Sequence, residues 1–109
     1  MSDILQQLSA TLEQRRSADP GESYVADLHH RGLNRILEKV GEEATEVVIE
    51  AVQKNKKMLV EESVDLLYFM LVLWRATGVS PDRVWEEMAS RHGLPEHEER
   101  AKRARTKQR

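Results

Sequence analysis

The run Leu66-Leu67-Tyr68-Phe69-Met70-Leu71-Val72-Leu73-Trp74 is apolar for nine consecutive residues. A bilayer crossing needs about twice that length. Wound into a helix, the run is apolar around its whole circumference, and such a helix must be covered on every side. It belongs to a helix expected from about Leu59 to Ala76, closed at Thr77-Gly78, where glycine suits a left-handed cap. Three or four helices from a chain of 109 residues can hardly surround it, so another subunit is expected to cover part of it.

Working outward, five glycines and three prolines cut the chain into helix-length pieces, and no segment shows a period of two. Ile4, Leu5, Leu8 and Leu12 stand at helical spacing in a first piece running to about Arg16, which Ser2 or Asp3 could cap. Ser17 to Ser23, containing Pro20-Gly21, reads as a loop. A short helical stretch from Tyr24 to His30 leads to a longer helix over about Leu33 to Gln53. There Leu33, Ile36, Leu37, Val40, Ala44, Val47, Val48 and Ala51 make an apolar stripe. Gly41 inside that helix suggests a close approach of another backbone, and Lys54 to Lys57 read as a basic turn. Ser80-Pro81-Asp82 is an N-cap followed by proline at the first helical position, and Val84, Trp85, Met88 and Ala89 supply the inward face of the helix that Gly93 stops. The expectation is an all-α bundle of four to five helices, completed by dimerisation, with a domain over 1–93 and a basic tail over 94–109.

Composition narrows the chemistry. The absence of cysteine excludes thiolate metal sites, disulfides and a cysteine nucleophile. The formal charge of −2 divides unequally, because residues 100 to 109 carry six cations and no acid, leaving −8 on residues 1 to 99. An acidic body argues against general nucleic-acid binding, and the N-terminus lacks the pattern of a signal peptide. A cytoplasmic protein without membrane partners is expected.

The acids are concentrated on the two central helices, as Glu42-Glu43-Ala44-Thr45-Glu46 and Glu61-Glu62-Ser63-Val64-Asp65. Glu43 and Glu46 are three residues apart, as are Glu62 and Asp65, so each pair projects from one helical face. Glu43 lies within roughly 40° of Val47, at the border of the apolar stripe. Asp65 shares a face with Met58, Glu62, Phe69 and Val72, where an unpaired carboxylate is costly. Antiparallel packing of the helices across a short turn would bring the pairs together. Carboxylates converging without a sulfur or histidine ligand suit a hard divalent cation, Mg²⁺ or Mn²⁺, and magnesium held this way commonly meets substrate phosphates. Taken singly, any one of these acids reads as a solvated residue with i, i+4 salt bridges, such as Glu50 to Lys54.

The spacing E-E-x-x-E over Glu42 to Glu46, followed by E-x-x-D over Glu62 to Asp65, resembles the metal signature of the all-α, MazG-like nucleoside triphosphate pyrophosphohydrolases. Ser23-Tyr24 with Leu28 and Gly32, Lys39 to Val48, Asp65 to Tyr68 and Gly78 to Arg91 are similar to the phosphoribosyl-ATP pyrophosphatase family in particular. The likeness covers about residues 4 to 93. It implies an enzyme of histidine biosynthesis that hydrolyses 1-(5-phosphoribosyl)-ATP to the AMP form and pyrophosphate with Mg²⁺, as a homodimer. Glu43, Glu46, Glu62 and Asp65 are the implied metal ligands, and Glu42 or Glu46 the residue that orients or deprotonates the attacking water. Phe69 departs from the resemblance, standing where relatives often have histidine. A house-cleaning nucleoside triphosphate pyrophosphatase of the same superfamily, or a helical interaction module without activity, are the alternatives.

The basic residues supply candidates for the substrate. Lys39 stands one turn before Glu43 and could meet a phosphate or pair with a carboxylate; Lys57 lies between the acidic helices. Arg15 and Tyr24 flank the Pro20-Gly21 loop, so contact with the phosphoribosyl group is possible there. His29, His30, His92 and His97 have no metal-pair spacing and read as surface, while Trp74, Trp85, Met70 and Met88 read as core or subunit interface.

Overall fold

A computed structural model describes residues 3–93, 100–101 and 103–104. The expected cap at Ser2 and most of the basic tail lie outside the described residues. Five helices are described: α1 (Asp3–Arg15), α2 (Tyr24–Arg31), α3 (Leu33–Val52), α4 (Lys56–Ala76) and α5 (Pro81–Arg91). Among the described residues there is no strand, so the architecture is all-α.

Local signals set most helix ends. The Ser23 hydroxyl accepts from the Ala26 amide to start α2, and the Ser80 hydroxyl accepts from the Asp82 amide to start α5, with Pro81 at its first turn. Thr77 closes α4 and Gly78 follows at φ +78°, the left-handed conformation foreseen for it. The basic turn is shorter than expected, because the Asn55 side chain accepts from the Met58 amide and α4 therefore begins at Lys56. The turn is left with Gln53, Lys54 and Asn55, and Lys54 adopts φ +60° to make it.

This three-residue connection folds α3 and α4 into an antiparallel pair, the most extensive packing in the fold. α1 and α2 lie across one side of the pair. Leu12 from α1, Val25 and Leu28 from α2, Ile36 from α3 and Phe69, Leu71 and Val72 from α4 form the buried core. The Trp74 and Trp85 rings meet edge to face at 5.6 Å and pin α5 beside the end of α4. At the same end Arg75 fastens α1: its Nη2 donates to the Ser9 hydroxyl at 3.0 Å, and Arg16 donates to the Arg75 carbonyl at 3.2 Å.

The other side of the pair is bare. Val48, Ile49 and Val52 on α3 and Val60, Val64 and Leu67 on α4 are all exposed, Val52 to 75%. α4 is thus covered around Phe69 to Val72 and uncovered toward its start. Gly41 is exposed and, among the described residues, nothing lies within 4 Å of where a Cβ would stand, so none of them makes the close backbone contact expected there. Met88 is also exposed rather than core, whereas His29 is partly buried rather than surface. Burial, with the nearby charge of Arg16, holds the His29 imidazole below its usual pKa against the pull of Glu13.

Candidate metal centre

The antiparallel pairing sets the middle of α3 beside the first half of α4, and the acids meet there. One carboxylate oxygen from each of Glu43, Glu62 and Asp65 lies within 4.8 Å of the other two. The group runs from inside to outside: the Glu43 side chain is 13% exposed, Glu62 is half-buried, and Asp65 is exposed. The expectation that Asp65 would be buried on the apolar face is corrected accordingly. Phe69 and Val72 on that face turn into the core, while Asp65, a turn earlier, stays exposed.

The electrostatics show a cluster short of positive charge. Oε2 of Glu43 is buried, and no amide, hydroxyl or cationic donor among the described residues reaches it. A buried acceptor in that state is uncommon, because its lost hydration is not replaced. Glu62 is pushed up to about pH 7, first by a hydrogen bond with Glu43 that two carboxyl groups can make only by sharing a proton. Burial adds to the rise, followed by the negative charges of Glu43, Asp65 and Glu46.

These residues fit a hard divalent cation. All the donors are carboxylate oxygens, the ligand type that Mg²⁺ and Mn²⁺ prefer, and they come from both helices of the pair. A cation there would also give Glu43 Oε2 a partner and offset the negative charges that add to the rise at Glu62.

The other residues singled out in the sequence are placed differently. Glu46 is exposed on α3, outside the three-oxygen group but close enough for its charge to act on Glu62. Glu42 is exposed and drawn to the other side, 3.2 Å from Lys39 and 3.6 Å from Arg35. Lys39 bridges the two neighbouring acids, reaching Glu42 at 3.2 Å and Glu43 at 3.5 Å. Burial alone would lower the Lys39 pKa, but the hydrogen bond and charge of Glu42, with help from Tyr24 and Glu43, raise it. Lys57 is exposed on the first turn of α4.

Arg15 and Tyr24 come together with Tyr68. They line a cleft of about 220 Å³ between α1 and the start of α2, with Thr11 and Ser23 also on its wall. The Tyr24 ring stands 6.3 Å from Tyr68 and 6.2 Å from Phe69, and Tyr68 meets Phe69 edge to face at 5.2 Å. Lys39 Nζ lies 5.2 Å from the Phe69 ring centre, so the aromatic group that begins at the cleft also meets the cation paired with Glu42 and Glu43. Tyr68 was not among the expected site residues. Its place inside an apolar run concealed it, although a phenol in such a run is a signal that one end of the side chain reaches solvent or a ligand.

A sequence model of the family described as phosphoribosyl-ATP pyrophosphohydrolase matches residues 5–92. The chain is 51% identical over 90 residues to the phosphoribosyl-ATP pyrophosphatase of Azospirillum brasilense, covering 83% of this chain and 81% of that protein. It is 52% identical over 101 residues to the protein of the same name from Erythrobacter litoralis strain HTCC2594, covering 93% and 97% respectively. A third such relative, from Gluconobacter oxydans strain 621H, is 46% identical over 104 residues, covering 95% of this chain and 78% of its own.

Proposed function

The chain belongs to the phosphoribosyl-ATP pyrophosphohydrolase family, and we propose that its acidic cluster carries that family's reaction. The protein is a hydrolase of histidine biosynthesis that converts 1-(5-phosphoribosyl)-ATP to 1-(5-phosphoribosyl)-AMP and pyrophosphate. The observation that supports this assignment of the site is the convergence of Glu43, Glu62 and Asp65 around a buried, unpartnered Glu43 oxygen.

In this reading Glu43, Glu62 and Asp65 hold Mg²⁺, or Mn²⁺, with Glu46 at the edge of the site. A divalent ion there supplies Lewis-acid polarisation of the phosphoryl oxygens and lowers the pKa of a nearby water. Water adds to the α-phosphorus, the bond from that phosphorus to the α–β bridging oxygen breaks, and pyrophosphate leaves. Of the two acids proposed to receive the water's proton, Glu46 is the better placed. Glu42 is occupied by Arg35 and Lys39, whereas Glu46 has no ion-pair partner among the described residues. The cleft between Arg15, Tyr24 and Tyr68 accepts the phosphoribosyl end of the substrate, and Lys57 lies on the side from which the triphosphate enters.

The bare face of the α3–α4 pair is covered by a second copy of the chain. Six large apolar side chains on adjoining helices exceed the scattered exposure ordinary for a monomer. No helix among the described residues is long and apolar enough to cross a membrane, and we place the enzyme in the cytoplasm.

The test is product analysis with Mg²⁺ by phosphorus NMR. Phosphoribosyl-ATP should yield pyrophosphate and the AMP form, with solvent oxygen on the α-phosphate. Equal turnover of ordinary nucleoside triphosphates would favour a house-cleaning enzyme, and no turnover of either would favour an interaction module.

A further inference from the structure

Lys39 is the one cation in contact with the proposed metal ligands among the described residues, and its surroundings hold it there. Its side chain is 17% exposed, with Nζ 3.2 Å from Glu42 Oε2, 3.5 Å from Glu43 Oε1 and 5.2 Å from the centre of the Phe69 ring. The shorter contact, a hydrogen bond, goes to Glu42, and Glu43 is met as an ion pair. Lys39 therefore sets a positive charge beside Oε1 of Glu43, while Oε2 of the same carboxylate meets no cation among the described residues.

We propose that Lys39 is a resident counter-cation which disfavours a free divalent ion at the acidic cluster and favours the same ion arriving with a nucleotide triphosphate. The proposal rests on the metal-site reading above. A bare divalent ion bound to Glu43, Glu62 and Asp65 meets a positive charge one carboxylate away. At a separation of about 7 Å, even in a medium as polar as water, that repulsion is worth about tenfold in affinity. A metal–triphosphate complex is net negative, so for it the same ammonium is attractive. One residue thus acts with opposite sign on the two states of the ion. The site is kept from saturating with free metal and is completed by the nucleotide that needs it.

The experiment compares the wild type with Lys39→Met, which keeps an apolar stem over Phe69, and Lys39→Arg, which keeps the charge. Binding of Mn²⁺ alone is followed by electron paramagnetic resonance of the free ion, and KM for phosphoribosyl-ATP is measured at saturating Mg²⁺. Lys39→Met should bind Mn²⁺ about tenfold more tightly while its KM rises tenfold or more, and Lys39→Arg should stay near wild type in both. Loss of both affinities together in Lys39→Met would mean that Lys39 merely holds Glu43 in place, and would overturn the proposal. So would a change in neither quantity, or equal effects of the two substitutions. Glu62→Gln and Asp65→Asn serve as controls. If they leave Mn²⁺ binding intact, the metal-site reading has failed, and not only the role of Lys39.

Discussion

Glu43 on α3 and Glu62 on α4 face each other as two carboxyl groups, and the hydrogen bond with Glu43 pushes the Glu62 pKa up to about 7. The arrangement is costly to the metal-free fold. A carboxyl whose folded pKa lies above its ordinary 4.5 adds stability that is complete below that value and is lost as pH rises through about 7. Metal-free wild type should therefore lose thermal stability relative to Glu62→Gln between pH 5 and pH 8 in calorimetry. Added Mg²⁺ should restore the wild type alone, with an apparent affinity that rises over the same interval.

Glu46→Gln should lower kcat by two to four orders of magnitude, the usual scale for loss of a general base, with Mn²⁺ affinity largely retained. Glu42→Gln should cost less, because its carboxylate is held by Arg35 and Lys39. Steady-state kinetics with phosphoribosyl-ATP separate the two, and the reverse order would make Glu42 the base.

Tyr24→Ala opens the cleft shared with Arg15 and Tyr68 and removes a ring 54% exposed at its mouth. KM for phosphoribosyl-ATP should rise by about tenfold, the value of one lost stacking contact. Slow turnover of ATP, which lacks the second ribose, should change less. Equal effects on the two substrates would remove the cleft from the phosphoribosyl site.

Val52 is the most exposed of the apolar residues on the bare face, so in a monomer its replacement by lysine would alter stability by no more than about 0.5 kcal/mol. In a dimer closed over that face, Val52→Lys should shift the mass from two chains toward one in light scattering and lower the melting temperature. A monomeric wild type would refute the dimer.

The interior is easier to perturb. Leu28 is 1% exposed and joins α2 to α3 and α4, so Leu28→Ala should destabilise the fold by about 2–5 kcal/mol in denaturant titrations. Its kcat, once folded, should stay near wild type.

The helices were legible because their signals are local. Ser80-Pro81, Ser23 and Gly78 act through bonds to atoms within a few residues, and the stripe from Ile36 to Val48 needs only the helical repeat. Asn55 carried the same kind of signal, but the lysines around it read as a turn, and the start of α4 was placed three residues late. Exposure was less legible. The apolar run and the helical wheel put Asp65 inward, yet burial depends on which neighbouring helix reaches that height, and Asp65 is left exposed. Gly41 was read as a close contact for the same reason: a glycine shows that an approach is possible, not that anything approaches.

By itself the sequence determined the helical periods, the caps, the absence of sulfur chemistry and the two pairs of acids on their helices, all of which follow from residue type and short-range spacing. Tertiary structure decided which acids meet. The short turn at Gln53 to Asn55 brings Glu43 to Glu62 and Asp65, leaves Glu46 at the edge, and gives Glu42 to Arg35 and Lys39. That selection depends on helix packing and on distances of a few ångströms between residues about twenty positions apart, which side-chain spacing along one helix does not contain.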